Sequence, residues 1–239
     1  MSREHWEKES GNWAAWARRP EFDAYWKYSS AFFELVPPPA TRTLEVGCGE
    51  GRVSRDLAAR GHRVTAIDAS PTLIRLANDA DPSGAYVRSD AAALPFAAES
   101  FDLVVFYNSL MDVDDLEGSV REAARVLRHG GKLCACITHP MTDAGHFTSN
   151  EPGSQFVIEG SYLGERRWFE VDAERDGLQM RFAGWAYSLE AYFTALEKTG
   201  LMIQAVREPR APDHAVESSP GENRWRRIPM FLMWSAVRR

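Results

Sequence analysis

Cysteine is scarce in this sequence: Cys48, Cys134 and Cys136 are the three in 239 residues, and no CxxC pair occurs. An odd count at such spacing supports neither a disulfide framework nor a zinc site. Excess positive charge is missing as well. The chain has 28 Lys and Arg against 34 Asp and Glu, a formal net charge of -6. No global field therefore draws in nucleic acid or an anionic membrane. Apolar runs are short, none approaching the ~20 residues of a membrane span. The Met1 end is polar and aromatic, with no basic-then-apolar signal pattern. From these absences we expect a reduced, cytoplasmic protein with neither nucleic-acid nor membrane partners. The His and Cys residues lack ligand spacing, so no metal is expected, although oxygen-ligated Mg²⁺ stays open. Oligomeric state is not legible.

What is present is a regular alternation of element types. Up to about Val36 the chain is rich in aromatics, and Glu21 to Val36 reads as a helix that Pro37-Pro38-Pro39 ends. Thr43 to Gly47 reads as a buried strand, and Gly51 to Arg60 as a helix with Val53, Leu57 and Ala58 on one face. Val64 to Asp68 is a second strand, and Ser70-Pro71 supplies an N-cap and a first-turn proline to the next helix. Strands are expected at Tyr86-Val87, Phe101 to Tyr107 and Lys132 to Thr138, with a helix through Leu116 to Leu127 closing at Gly130-Gly131. Such alternation implies a doubly wound, mostly parallel α/β sheet with helices on both faces.

After His139-Pro140 the pattern changes. Phe156 to Leu163, Arg167 to Val171 and Leu178 to Trp185 alternate like antiparallel strands, then a helix through Leu189 to Leu196 leads to strands Met202 to Arg207 and Pro229 to Val237. We expect one domain over 1–239. Within it, 1–40 is a helical cover, 41–140 the ligand-binding core, 141–187 an inserted antiparallel lid and 188–239 the rest of a seven-stranded sheet.

The most specific feature is Glu45-Val46-Gly47-Cys48-Gly49-Glu50-Gly51, between the first strand and its helix. A glycine-rich turn there lets backbone and helix N–H groups approach a ligand closely. A dinucleotide fingerprint counted from Gly47 needs its third glycine at position 52, which is Arg52. The run LEVGCGEGRVSRDLAARGHRVTAIDAS instead resembles the S-adenosylmethionine (SAM) region of small-molecule class I methyltransferases. The similarity continues through Asp90-Ala91, FDLVVFYNSL and EAARVLRHGGKL, over about Thr43 to Thr138. It implies a Rossmann-like fold with SAM as cofactor. By that resemblance Glu45, Gly47, Cys48, Gly49, Ala69, Ala91 and Tyr107 surround the cofactor. Asp68 receives the ribose hydroxyls and Asp90 the adenine amino group. Plainer readings remain: a tight turn for the glycines, a helix N-cap for Asp68, a loop carboxylate for Asp90.

In open α/β sheets the ligand lies beyond the carboxyl ends of the strands. That position gives Asn108, Ser109, Met111 and Asp112 to the acceptor, together with His139. The segment lacks the Asn/Asp-Pro-Pro-Tyr/Phe sequence of enzymes that methylate nucleobase amines. His139 is the first candidate for a general base, because imidazole titrates near neutral pH; capping a strand before Pro140 is the alternative. GNWAAWARRPEFDAYWKYSSAFFELVP resembles the cover of small-molecule methyltransferases. There Asp23 and Tyr25 would orient or deprotonate the nucleophile, and Trp13, Trp16 and Tyr28 would contact the acceptor, unless these rings only pack the cover on the sheet. The expected activity is methyl transfer from SAM to a small aromatic acceptor, an indole- or phenol-like secondary metabolite among the options, at carbon, nitrogen or oxygen. A cyclase or ligand-binding module of the same fold is the alternative.

Overall fold

The computed structural model describes residues 1–164 and 166–239; Glu165, within the expected insertion, lies outside them. The chain opens on helices α1 (Ser2–Ala17) and α2 (Tyr25–Phe33). Strands and helices then alternate through β1 (Thr43–Val46), α3 (Arg52–Ala59), β2 (Val64–Asp68), α4 (Pro71–Ala80), β3 (Ala85–Arg88), β4 (Phe101–Tyr107), α5 (Leu116–Val126) and β5 (Leu127–Thr138). The cap expected for α4 forms: Ser70 Oγ accepts from Leu73 N–H at 3.0 Å, with Pro71 in the first turn. Asp115 does the same for α5.

A short helix α6 (Pro140–Asp143) precedes two antiparallel pairs. One pairs β6 (Gly145–Phe147) with β7 (Phe156–Ile158), and the other pairs β8 (Arg167–Arg175) with β9 (Leu178–Ala186). Asp176 and Gly177 join the second pair, both at positive φ (48° and 76°). A two-residue turn with that twist suits the strands of a hairpin. Then come α7 (Leu189–Lys198), β10 (Leu201–Arg207), α8 (Asp213–Ser218), a 3-10 turn over Pro220–Arg226, and β11 (Phe231–Arg238).

Seven strands form one sheet in the order β10-β11-β5-β4-β1-β2-β3, parallel except that β11 runs against both its neighbours. Alternation along the central strands fills both faces. Val104, Phe106, Leu133, Ala135, Ile137, Leu232 and Trp234 point into a core shared with α5 and α7. Leu103, Val105, Tyr107, Cys134, Cys136, Phe231 and Met233 point into one shared with α2 and α3. Strand order reverses beside β1, whose neighbours are β2 and β4, and such a switch point opens a crevice at the strand carboxyl ends.

Some local expectations change. Helix α5 ends at Val126 rather than at the glycine pair, because Leu127 turns extended and pairs with Phe101. The strand expected over Phe156 to Leu163 is limited to β7, and its partner β6 carried no visible alternation. Between β10 and β11, where no element was expected, the chain forms α8 and the 3-10 turn.

Candidate active site

The crevice beside β1 is a cavity of about 500 Å³ that α1 and the β8–β9 hairpin cover. Its floor is the turn after β1. Gly47 and Gly49 have φ of +75° and +56°, where an L side chain is strained. A Cβ on Gly47 would collide with Ser109 Cβ and lie 2.9 Å from Ser109 Oγ; one on Gly49 would lie 3.0 Å from Trp13 Nε1. The turn is thus wedged between β4's end and α1, and only glycine leaves the cradle open.

Asp68, at the end of β2, faces the cavity. Its Oδ2 accepts from Gly49 N–H at 2.8 Å and its Oδ1 from Ser70 N–H at 2.9 Å. The Ala69 N–H also acts on it; a carboxylate offers about four lone-pair sites, so these bonds fix the group and still leave acceptor capacity toward the cavity. Ribose presents two hydroxyls, and the residues present fit SAM in that respect. Glu45 is fully buried behind Ser54, which donates to it, and desolvation pushes its carboxyl up to about 8. Burial likewise pushes the Cys48 thiol up, and it stays protonated. Asp90 sits at the rim, paired with Arg3 of α1. Cys48, Ala69, Ala91 and Tyr107 also line the cavity, so all nine residues expected around the cofactor meet there.

The residues expected at the acceptor divide. Trp13, Trp16, Asn108, Ser109, Met111, Asp112 and Asp23 line the same cavity. Asp23 is engaged by Tyr25 N–H at 2.8 Å and by the Arg52 guanidinium at 3.1 Å. Asn108, at φ 48°, turns the chain sharply after β4. Tyr25 and Tyr28 do not reach the cavity: each is 1% exposed. The Tyr25 hydroxyl donates to Asp56, and its ring packs on Tyr107, with Arg52 over it at 4.0 Å. Tyr28 packs edge-on against Phe231.

His139 is also elsewhere. It is 3% exposed and absent from the cavity wall. Nδ1 accepts from Met141 N–H at 3.1 Å, capping α6, so Nε2 carries the proton and donates to Glu208 at 3.0 Å. With both nitrogens committed, the geometry is that of a helix cap and gives the ring no substrate proton to receive.

The sequence reading missed much of the upper wall. Trp6 belongs to the Trp6, Trp13, Trp16 face of α1, a spacing that helical periodicity could have disclosed. Phe22, Phe169, Val171 and Phe182 complete that wall, and Arg52 and Arg175 bring positive charge to it.

Residues 44–135 match the family model described as "Methyltransferase domain". That stretch is similar to methyltransferase domains, and the sheet around it has the class I methyltransferase fold. The chain is 33% identical over 121 residues to a demethylmenaquinone methyltransferase of Tropheryma whipplei, covering 49% of this chain and 50% of that protein. It is 38% identical over 92 residues to a malonyl-[acyl-carrier protein] O-methyltransferase of Enterobacter lignolyticus, 38% of this chain and 37% of the other. The chain therefore spans half or less of the length of these curated relatives. A SAM-dependent methyltransferase of Mesorhizobium loti has the same fold, with a TM-score of 0.74 at 24% identity over 92% of this chain and all of that one. The family model thus spans the glycine-rich turn and most of β1 to β5, whereas the match at the level of fold takes in 92% of the chain.

Proposed function

We propose that the chain is a cytoplasmic enzyme that transfers the methyl group of SAM to a small aromatic acceptor held between α1 and the β8–β9 hairpin. The observation that carries this reading is the wall of rings above the glycine cradle: Trp6, Trp13 and Trp16 from α1, Phe22 beyond it, and Phe169 and Phe182 from the hairpin. They meet edge to face, as in Trp16 with Phe182 at 5.5 Å and Trp13 with Phe182 at 6.3 Å. Such a wall favours a flat apolar ligand and supplies faces for a cation.

When bound, SAM supplies an electrophilic methyl on a positively charged sulfur. The chain's own part is positioning. Asp68 holds the ribose hydroxyls, Asp90 the adenine amine, and Gly47 and Gly49 admit the cofactor's remaining atoms against bare backbone. Trp13 and Trp16 exclude water above them. Holding two reactants in line is worth effective molarities of roughly 10⁵ M or more, which suits a reaction whose leaving group is already good. The relatives named for quinone and acyl-carrier acceptors do not separate substrate classes, and the ring wall favours an aromatic one.

The test is to incubate the purified chain with methyl-labelled SAM and a panel of phenols, indoles and aryl amines beside aliphatic carboxylates and acyl thioesters. Label is expected in the aromatic set. Label confined to the acyl set would reject the aromatic acceptor.

A further inference from the structure

One carboxylate in the cavity stands apart. Asp23, Glu45, Glu50, Asp68, Asp90 and Asp114 line it too, and every one accepts a hydrogen bond or an ion pair from the protein. Asp112, just past the end of β4, has none. Its backbone N–H closes a turn onto Ser109 at 3.0 Å, but neither carboxylate oxygen meets a donor among the described residues. The groups that act on it are Asp143 of α6 and Asp68 of β2, both of its own sign, and the Tyr192 phenol of α7 also senses it. Desolvation first, then those two carboxylates, hold the Asp112 carboxyl well above its ordinary range.

The hairpin is shaped to leave room for this group. Trp185 N–H of β9 donates to Met111 O at 2.9 Å, fastening the hairpin to the Asp112 loop. Next to it, a Cβ on Gly184 would lie 2.9 Å from Asp112 Oδ1 and 3.5 Å from Phe169 Cζ. The carboxylate and the ring wall are therefore held in fixed register across the acceptor space. Asp112 is half-buried and its carboxylate lines the cavity, so its hydrogen-bonding capacity is open to whatever fills the acceptor space.

We infer that Asp112 accepts a hydrogen bond from a hydroxyl or amine of the methyl acceptor, so that the slot selects aromatic compounds bearing an O–H or N–H donor. This rests on the aromatic acceptor proposed above and adds the polar group that the acceptor must carry. The ligand's donor takes the place that protein donors take at the six neighbouring carboxylates, while its ring lies against the Phe169 and Phe182 side.

Two probes of similar shape test it, 1-naphthol and 1-methoxynaphthalene, which lacks the donor. Binding is read from quenching of the cavity tryptophans with S-adenosylhomocysteine saturating the cofactor half. At a pH where the Asp112 carboxylate is ionised, the native chain is expected to prefer naphthol about 10- to 100-fold, the factor a hydrogen bond to a charged group contributes. Asp112→Leu should bring the two probes within about threefold of each other while S-adenosylhomocysteine affinity and melting temperature stay near native. Asp112→Asn keeps the shape and loses the titration. In the native chain the naphthol preference should fall as pH is lowered through the elevated Asp112 pKa, and in Asp112→Asn it should be flat. A native-size preference in Asp112→Leu, or a native pH dependence in Asp112→Asn, overturns the role of Asp112 alone. If neither probe binds the native chain, the aromatic slot is rejected and the inference with it.

Discussion

Gly47→Ala separates two costs that usually arrive together. Gly47 and Gly130 have nearly the same φ, +75° and +76°. Around Gly130 nothing lies within 4 Å of a new Cβ, whereas at Gly47 that atom runs into Ser109. Placing an L residue in the left-handed region costs about 1–2 kcal/mol, and overpacking a filled site about 1–3 kcal/mol more. Gly130→Ala should therefore lose about 1–2 kcal/mol and Gly47→Ala about 2–5 kcal/mol. The gain from a less flexible unfolded chain applies to both and cancels in the comparison. Ser109→Gly supplies the control: it removes the obstacle, at the expense of the Ser109 Oγ hydrogen bond to Val46 O at 2.6 Å. In a double-mutant cycle followed by urea melts, Gly47→Ala should cost no more in the Ser109→Gly background than Gly130→Ala costs in the native one. An excess that survives removal of Ser109, or Gly47→Ala melting like Gly130→Ala, would refute the steric account of the cradle.

Asp68→Ala should weaken SAM binding by about 1.5–3 kcal/mol, the worth of hydrogen bonds to a charged group; unchanged calorimetric affinity in the folded variant would remove Asp68 from the ribose. His139→Ala should lower stability by about 0.5–2 kcal/mol through the lost α6 cap and leave single-turnover methylation near normal; a large rate loss at native SAM affinity would restore the histidine to chemistry. Glu45 carries its pKa up from 4.5 to about 8 in the folded chain. The native state then keeps a proton that the unfolded chain releases, so this group's share of stability declines as pH rises between those values. Glu45→Gln should flatten that decline in melts across the window, and an unaltered slope would show that Glu45 does not titrate there.

The sheet and the glycine cradle were legible because their signals are local. Strands β4 and β5 announce themselves by runs buried on both faces, and the glycine turn and Asp68 lie within one continuous stretch. The acceptor half is assembled from afar: Trp16 meets Phe182, a contact across most of the chain, and no pattern near either residue points to the other. Some clues were present and misjudged. Tyr25, Tyr28 and Phe32 follow the spacing of a buried helical face, which argues for packing rather than for contact with a ligand. Position at a strand end located His139 correctly in the fold but not the direction of its ring, which the first turn of α6 decides. Asp176-Gly177 is a hairpin signal that marks the β8–β9 turn directly.

Helix α1 is a wall common to both halves of the cavity. Glu7 accepts from Ser70 and from Thr72 Oγ1 at 2.6 Å, Arg3 pairs with Asp90, Trp13 stands over Gly49, and His5 bonds to Arg181 of β9 at 2.9 Å. One rigid body thus touches whatever occupies either half. Any ligand that steadies α1 over the cradle also lowers the ordering cost of the second ligand, and linkage makes that help equal in both directions.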